Sequence, residues 1–115
     1  MSTTVEDERL DAVFMALSDP TRRDIVARLS AGEATVKELA EPYAMNVQAV
    51  YQHLRVLERS GLVSRGRHRQ FRPCRLEPVA LEDALGWIEQ SRRTWSQRMD
   101  RLETHLAQIQ EREDT

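Results

Sequence analysis

The sequence predicts a mainly α-helical chain with a small β-hairpin and a long C-terminal helix. Apolar residues recur at helical spacing along most of the chain, whereas residues 62–76 contain two short stretches that favour β-strand. At 115 residues the chain has room for a single domain. We expect its core at about residues 10–78, followed by the last helix at about residues 79–111.

The charge of the chain is unevenly distributed. Its net charge is −2, but the segment Gln52–Arg75 holds seven arginines and one acid, which leaves −8 for the remainder. Arginine forms bidentate hydrogen bonds with phosphates and with guanine. A solvated basic face is the alternative, but a one-signed cluster made almost only of arginine favours nucleic-acid binding.

Three further features bear on location. The start of the chain is polar and acidic, and no segment approaches the ~18 apolar residues of a membrane span. The single cysteine, Cys74, cannot form an internal disulfide, and we expect a buried hairpin residue rather than a redox switch. The sequence therefore predicts a cytoplasmic protein with no membrane partner.

Apolar spacing predicts a first short helix from Leu10 to Leu17, and capping signals place three more helices before the hairpin. Asp19 precedes the second helix, Thr35 and Glu38 form a capping box for a very short third, and Asn46 caps the fourth, which stops at Gly61. The apolar faces of the first two helices are predicted to be Leu10, Val13, Phe14 and Leu17, then Ile25, Val26 and Leu29.

The fourth helix is predicted to have an apolar inner face and a polar outer face. The inner face is Val47, Val50, Leu54 and Leu57. The outer face is Gln48, Ala49, Gln52 and Arg55, with Tyr51 and His53 on its flanks. Glutamine amides pair with adenine edges, and an arginine pairs with guanine or phosphate, so this helix suits the major groove of DNA. The DNA contacts expected on it are Asn46, Gln48, Ala49, Gln52 and Arg55.

Two strands are predicted at Leu62–Arg67 and Gln70–Leu76, joined at His68–Arg69, and Pro73 confines the second to an edge or a bulge. Helix, tight turn, helix, glycine stop and basic hairpin is the order of a winged helix-turn-helix. The hairpin is predicted to contact the DNA backbone through Arg65, Arg67, His68 and Arg69.

The last helix carries a seam of residues that alternate by four and three. Its members are Leu81, Leu85, Ile88, Arg92, Trp95, Met99, Leu102, Leu106 and Ile109. Eight of the nine are apolar, and the remaining chain is too short to cover them. We therefore expect a homodimer in which this seam meets the partner's seam or its first helix; the alternative is a helix that folds back on its own domain.

The combined motifs resemble the ArsR-type transcriptional regulators. The match runs from about residue 10 to 80 and comprises 16–23, Ile25, Leu29, Val36, 38–40, Val50, 53–54, 56–57 and 61–63. The resemblance implies a repressor whose first and last helices form the dimer. It also implies that Gln48, Tyr51 and Gln52 lie where such proteins contact bases, although a serine is commoner at the position of Tyr51.

Metal-sensing members of this family use ligands that this chain lacks. The short helix before the turn has no cysteine, and the last helix has His105 as its only histidine, with Glu103 nearby. The sequence is therefore similar to a metal-independent subgroup, also marked by the stretch 72–78. No cofactor or metal is expected, and an unidentified small-molecule effector is left open.

Other functions also stay open. One alternative is a winged-helix protein-interaction module without DNA binding, which would bind another protein's helix; a second is a metal-responsive repressor with unrecognised ligands. An enzyme is disfavoured, because no nucleophile motif, phosphate loop or paired carboxylates occur. His53 with Cys74 is the only conceivable dyad, and packing explains both residues more simply.

Overall fold

The computed structural model describes residues 4–66 and 72–114, and this part of the chain forms five helices and a two-stranded hairpin. In chain order the elements are α1 (Val5–Ala16), α2 (Pro20–Ala31), α3 (Val36–Ala40), α4 (Val47–Arg59), β1 (Val63–Arg65), β2 (Cys74–Leu76) and α5 (Pro78–Glu113). The predicted fold class is confirmed. The chain divides into two compact units, Met1–Ala84 and Leu85–Thr115, which we call the first unit and the second unit.

The predicted caps begin α2, α3 and α4. The carboxylate of Asp19 accepts hydrogen bonds from the first backbone N–H groups of α2, and Thr35 and Glu38 form the capping box of α3. The side-chain oxygen of Asn46 accepts a hydrogen bond of 2.9 Å from the backbone N–H of Ala49. Each cap satisfies N–H groups that the helix itself leaves without partners.

The first helix is longer than predicted. It begins at Val5 rather than near Leu10, because Thr4 and Asp7 form a further capping box ahead of the apolar repeat. The prediction missed this start because it began the helix at its first apolar repeat. The polar first turns of α1 are exposed, so no apolar spacing marks them.

The core of the first unit is built from the apolar faces of α1–α4, the hairpin and the start of α5. Its buried residues are Val13, Ala16, Ile25, Val26, Leu29, Val36, Leu39, Val50, Leu54, Leu57, Leu62, Val63, Cys74 and Ala84. The predicted inner face of α4 is confirmed at Val50, Leu54 and Leu57. It is wrong at Val47, which is 46% exposed, because this residue is the first of α4 and lies at the end of the helix, one turn before the fully buried Val50.

Within the described residues, the strands of the hairpin are Val63–Arg65 and Cys74–Leu76, which leaves out the predicted strand positions Leu62, Gly66, Arg72 and Pro73. Its antiparallel register pairs Val63 with Leu76, Ser64 with Arg75 and Arg65 with Cys74. The second strand begins only after the proline at position 73, which keeps the missing N–H out of the ladder.

Beyond the hairpin register, Cys74 has a second backbone partner. Its N–H donates to the carbonyl of Ala34 at 2.7 Å, so β2 is paired on both sides at this residue rather than lying at a free edge. The tip of the hairpin, with the predicted phosphate contacts Arg67, His68 and Arg69, lies outside the described residues.

The second unit is a single helical segment that belongs to α5. Within its described residues no side chain is buried. Its large apolar side chains that are exposed are Leu85, Trp87, Ile88, Trp95, Leu102, Leu106 and Ile109. Six of these seven are the predicted seam positions, so the apolar face is uncovered within this unit. None of the helices in the described part of the chain is long and apolar enough to cross a membrane.

Candidate nucleic-acid interface

The outward face of α4 carries the polar side chains that the sequence predicts. Gln48, Gln52 and Arg55 are exposed, because their spacing of four and three places them on one side of the helix, opposite its buried face. Ala49 is half-buried, and the side chain of Asn46 is engaged in the cap. The helix therefore presents two amides and one guanidinium to solvent from a firmly packed base.

The turn between α3 and α4 is held by Arg28 of α2. Its guanidinium donates to the carbonyls of Leu39 at 2.8 Å and Glu38 at 3.0 Å, and its carbon atom Cζ lies 5.8 Å from the ring centroid of Tyr43. The Tyr43 hydroxyl donates to the carboxylate of Asp24. Burial, with help from this carboxylate, raises the pKa of Tyr43, so the hydroxyl stays a donor. These contacts hold the end of α3 and the turn that leads to α4.

A second arginine of α2 ties α1 to α4. The Nε of Arg22 donates to the carbonyl of Ala16 at 2.6 Å, and one of its Nη atoms donates to the carbonyl of Met15 at 3.1 Å. Its other Nη lies 3.4 Å from Nδ1 of His53, which is also 3.9 Å from the carboxylate of Asp19. These contacts give His53 a structural role on the flank of α4.

Arg65, predicted to contact phosphate, lies half-buried against α4. Its side chain is 17% exposed, its Nε is 3.7 Å from Oε1 of Glu58, and its Cζ is 5.3 Å from the ring centroid of Tyr51. Tyr51, where the resemblance places a base contact, is itself half-buried. The structure thus directs both side chains towards each other within the protein.

The exposed positive charge of the basic segment is smaller than the sequence suggests. Besides Arg65, the guanidinium of Arg75 pairs with the Glu33 carboxylate, at 2.5 Å from Nη2 and 2.8 Å from Nε. Three exposed arginines form no ion pair with residues 4–66 or 72–114, namely Arg55, Arg59 and Arg72. Arg59 and Arg72 were not predicted as contacts, because a charge total does not separate free arginines from paired ones.

Cys74 is fully buried, as expected of a hairpin core residue. Burial raises the pKa of its thiol, and the nearby positive charge of Arg65 opposes that rise only in part. A protonated, buried thiol is a poor nucleophile and a poor metal ligand. In the described ranges, no three His, Cys, Asp or Glu side chains are close enough together to hold a metal ion.

The predicted dimer residues fall into two groups. Val13 is 3% exposed within the core of the first unit, and Leu10, Leu17 and Leu81 pack half-buried against that core, whereas Phe14 is exposed. The helical face of α1 is therefore mostly used by its own unit. The predicted positions in the second unit are exposed or half-buried, namely Leu85, Ile88, Trp95, Met99, Leu102 and Leu106.

The chain resembles known regulators in sequence and in structure. A family model described as a helix-turn-helix domain matches residues 17–65. The transcriptional repressor SdpR of Bacillus subtilis is 33% identical over 79 residues, which cover 69% of this chain and 88% of that protein.

Solved structures extend the similarity to the fold. A crystal structure of an ArsR family transcriptional regulator is 36% identical with a TM-score of 0.72, covering 77% of this chain and 92% of its own. The homodimeric winged helix-turn-helix DNA-binding domain of a Mycobacterium bovis protein is 27% identical with a TM-score of 0.60, covering 76% and 82%.

Proposed function

Because this chain belongs to the ArsR family of transcriptional regulators, we propose that it is a homodimeric repressor that binds double-stranded DNA at an inverted repeat. The observation that carries this proposal is α4. One side of this helix is locked into the core by Val50, Leu54 and Leu57, while the other presents polar side chains to solvent. A helix held in this way fits the major groove.

The exposed side chains divide into two roles. Gln48 and Gln52 read base edges, because an amide offers a donor and an acceptor together. Arg55, Arg59 and Arg72 contact phosphates, and Arg55 also reaches guanine, since each is exposed and free of a described acid. The hairpin tip, with Arg67, His68 and Arg69, adds further backbone contacts.

The dimer is supported by the second unit. Its seam leaves Trp95 63%, Leu106 53% and Leu102 47% exposed, and a second copy of the same helix is an apolar surface that covers them. The homodimeric M. bovis relative agrees with this assembly. We assign the protein no catalytic role and place it in the cytoplasm with its DNA.

Selection of bound sequences from a random DNA pool, combined with a mass measurement in solution, tests this function. We expect a dimer that selects two inverted half-sites about one helical turn apart, ~10 base pairs or a multiple. If the dimer neutralises roughly eight phosphates, log affinity falls with log salt with a slope near −7. A monomer that ignores DNA would instead support the protein-interaction module.

Two variants separate the proposed roles. Gln52→Ala should change which sequences are selected, because it removes a base contact. Arg72→Gln should weaken binding to all sequences alike, because phosphate contacts carry no sequence information. If both variants act equally on every sequence, the division of roles is wrong.

A further inference from the structure

We propose that Arg65 is a positioning residue, which holds the hairpin against α4 through Tyr51 and Glu58 and does not itself contact DNA. The proposal rests on the DNA-binding function above. The basic composition of the hairpin predicts instead that Arg65 contacts the DNA backbone.

The direction of the Arg65 side chain follows from strand alternation. Residues two apart in a strand point to the same face. Val63 is buried, so Arg65 points inward with it, and its cross-strand partner Cys74 is also buried. Ser64 and its partner Arg75 occupy the other face, where Arg75 is exposed.

On α4, the guanidinium of Arg65 meets two side chains on one side of the helix. Tyr51 and Glu58 are seven residues apart, which is two helical turns or about 10 Å along the axis. The guanidinium lies 5.3 Å from the Tyr51 ring centroid and 3.7 Å from the Glu58 carboxylate. A single side chain of β1 thereby bridges two turns of α4.

The local environment does not suit a phosphate contact. The Nε of Arg65 is buried and has no hydrogen-bond partner, and its 3.7 Å approach to Glu58 is an ion pair too long for a hydrogen bond. Glu58 also offsets its charge locally, which leaves less to attract a phosphate. By contrast, the exposed Arg72 of the same hairpin meets no described acid.

The two chains of the hairpin stay paired beyond Arg65, at Gly66 and Pro73. The N–H of Gly66 donates to the carbonyl of Pro73 at 2.8 Å. A Cβ added at Gly66 would lie 3.1 Å from two atoms of the Pro73 ring, so the two chains are tightly apposed there. Fixing Arg65 on α4 therefore sets the position of the paired strands β1 and β2 relative to α4.

If Arg65 positions the hairpin, its loss changes the affinity for DNA but not the number of phosphates that the protein neutralises. A hairpin that moves freely relative to α4 must be ordered on binding, which costs conformational entropy. Loss of Arg65 should weaken binding to every DNA sequence. It should leave the salt dependence unchanged, because the same phosphates are still neutralised.

The test is a salt titration of Arg65→Gln on a mixed-sequence DNA duplex. We expect binding about three- to tenfold weaker than wild type at each salt concentration, with the same slope of log affinity against log salt. A slope shallower by about 1.8, as when each protomer neutralises one phosphate fewer, would overturn the proposal. Arg72→Gln is the matched control, in which the shallower slope is expected.

Two further measurements keep the test decisive if Arg65→Gln folds poorly. Arg65→Lys keeps the charge but lacks the planar face, so we expect it to bind about as weakly as Arg65→Gln; near-wild-type binding would overturn the proposal. A double-mutant cycle with Tyr51→Ala should show effects smaller than additive, whereas simple additivity counts against the contact. A wild-type protein that does not bind the duplex contradicts the proposed function itself.

Discussion

The first and second units of this protein use the same apolar periodicity with opposite results. In the first unit, α4 buries Leu54 and Leu57 completely against neighbouring helices. In the second unit, α5 leaves Trp95 63% and Leu106 53% exposed. Helical spacing therefore predicts which face of a helix is apolar. It does not predict whether residues of the same chain or of a second copy cover that face.

The difference has an energetic meaning. Full burial of a large apolar side chain contributes roughly 1.5–3 kcal/mol, and the first unit gains this within one chain. In the proposed homodimer, the second unit gains it only through association, so its contribution to stability depends on protein concentration. The two units should accordingly respond differently to equivalent substitutions.

The largest effect is expected from a double substitution in the second unit, Leu102→Asp with Leu106→Asp. Two carboxylates in an apolar interface should raise the dimer dissociation constant by at least about a hundredfold. Sedimentation equilibrium checks this. The control is Gln97→Asp, because Gln97 lies on the opposite side of α5 from the seam, and this variant should stay dimeric. If the double variant remains dimeric, the seam is not part of the interface.

Matched leucine substitutions in the two units should separate the contributions of the two units to the free energy of unfolding. Leu54→Ala should destabilise the first unit by about 2–5 kcal/mol, because it leaves a cavity among fully buried residues. Leu106→Ala should shift the urea midpoint only at concentrations where the wild type is dimeric. Equal shifts for both variants in dilute monomeric protein would contradict this contrast.

The cap of α4 should have a smaller effect. Asn46→Ala removes the acceptor for the Ala49 N–H and should cost about 1 kcal/mol in urea unfolding. Asn46→Asp retains an acceptor at this position and serves as the control. A loss as large for Asn46→Asp as for Asn46→Ala would show that the hydrogen bond is not the cause.

The smallest effect is a pH dependence confined to the first unit. Partial burial raises the pKa of Asp19, but hydrogen bonds from backbone N–H groups of α2 and the charge of His53 outweigh it and leave the pKa below its ordinary value of 3.8. The unfolded chain therefore binds this proton more readily than the folded one. The contribution of Asp19 is complete above pH 3.8 and is lost as the pH falls through the lowered folded value.

Urea midpoints of the wild type and Asp19→Asn between pH 3 and 6 measure this contribution. Asparagine keeps the cap but does not titrate, so its stability should fall less steeply with acid. Parallel curves for the two proteins would exclude Asp19 as a source of the pH dependence.

The sequence predicted features that depend on neighbouring residues. The caps at Asp19, Thr35 and Asn46 were correct, because a cap needs only a side chain and the N–H groups two or three residues later. The outward face of α4 was also predictable, since the helical period determines it.

Features that depend on distant residues were not predicted. Arg28 reaches the end of α3 eleven residues away, and Val13 is buried because other helices pack on α1. Strand alternation with Val63 predicts the inward direction of Arg65, whereas the positive charge of the segment predicts a phosphate contact, and the two signals disagree at this residue.

The arginines of α2 have a consequence for altering the target of this protein. Arg22 and Arg28 hold the helices together by donating to carbonyls of α1 and α3. Gln48, Gln52 and Arg55 face solvent and form no described hydrogen bond through their side chains. The residues that hold the helices together are therefore different from those on the outward face of α4. A library that varies only these three positions should therefore retain the fold while exploring new operator sequences.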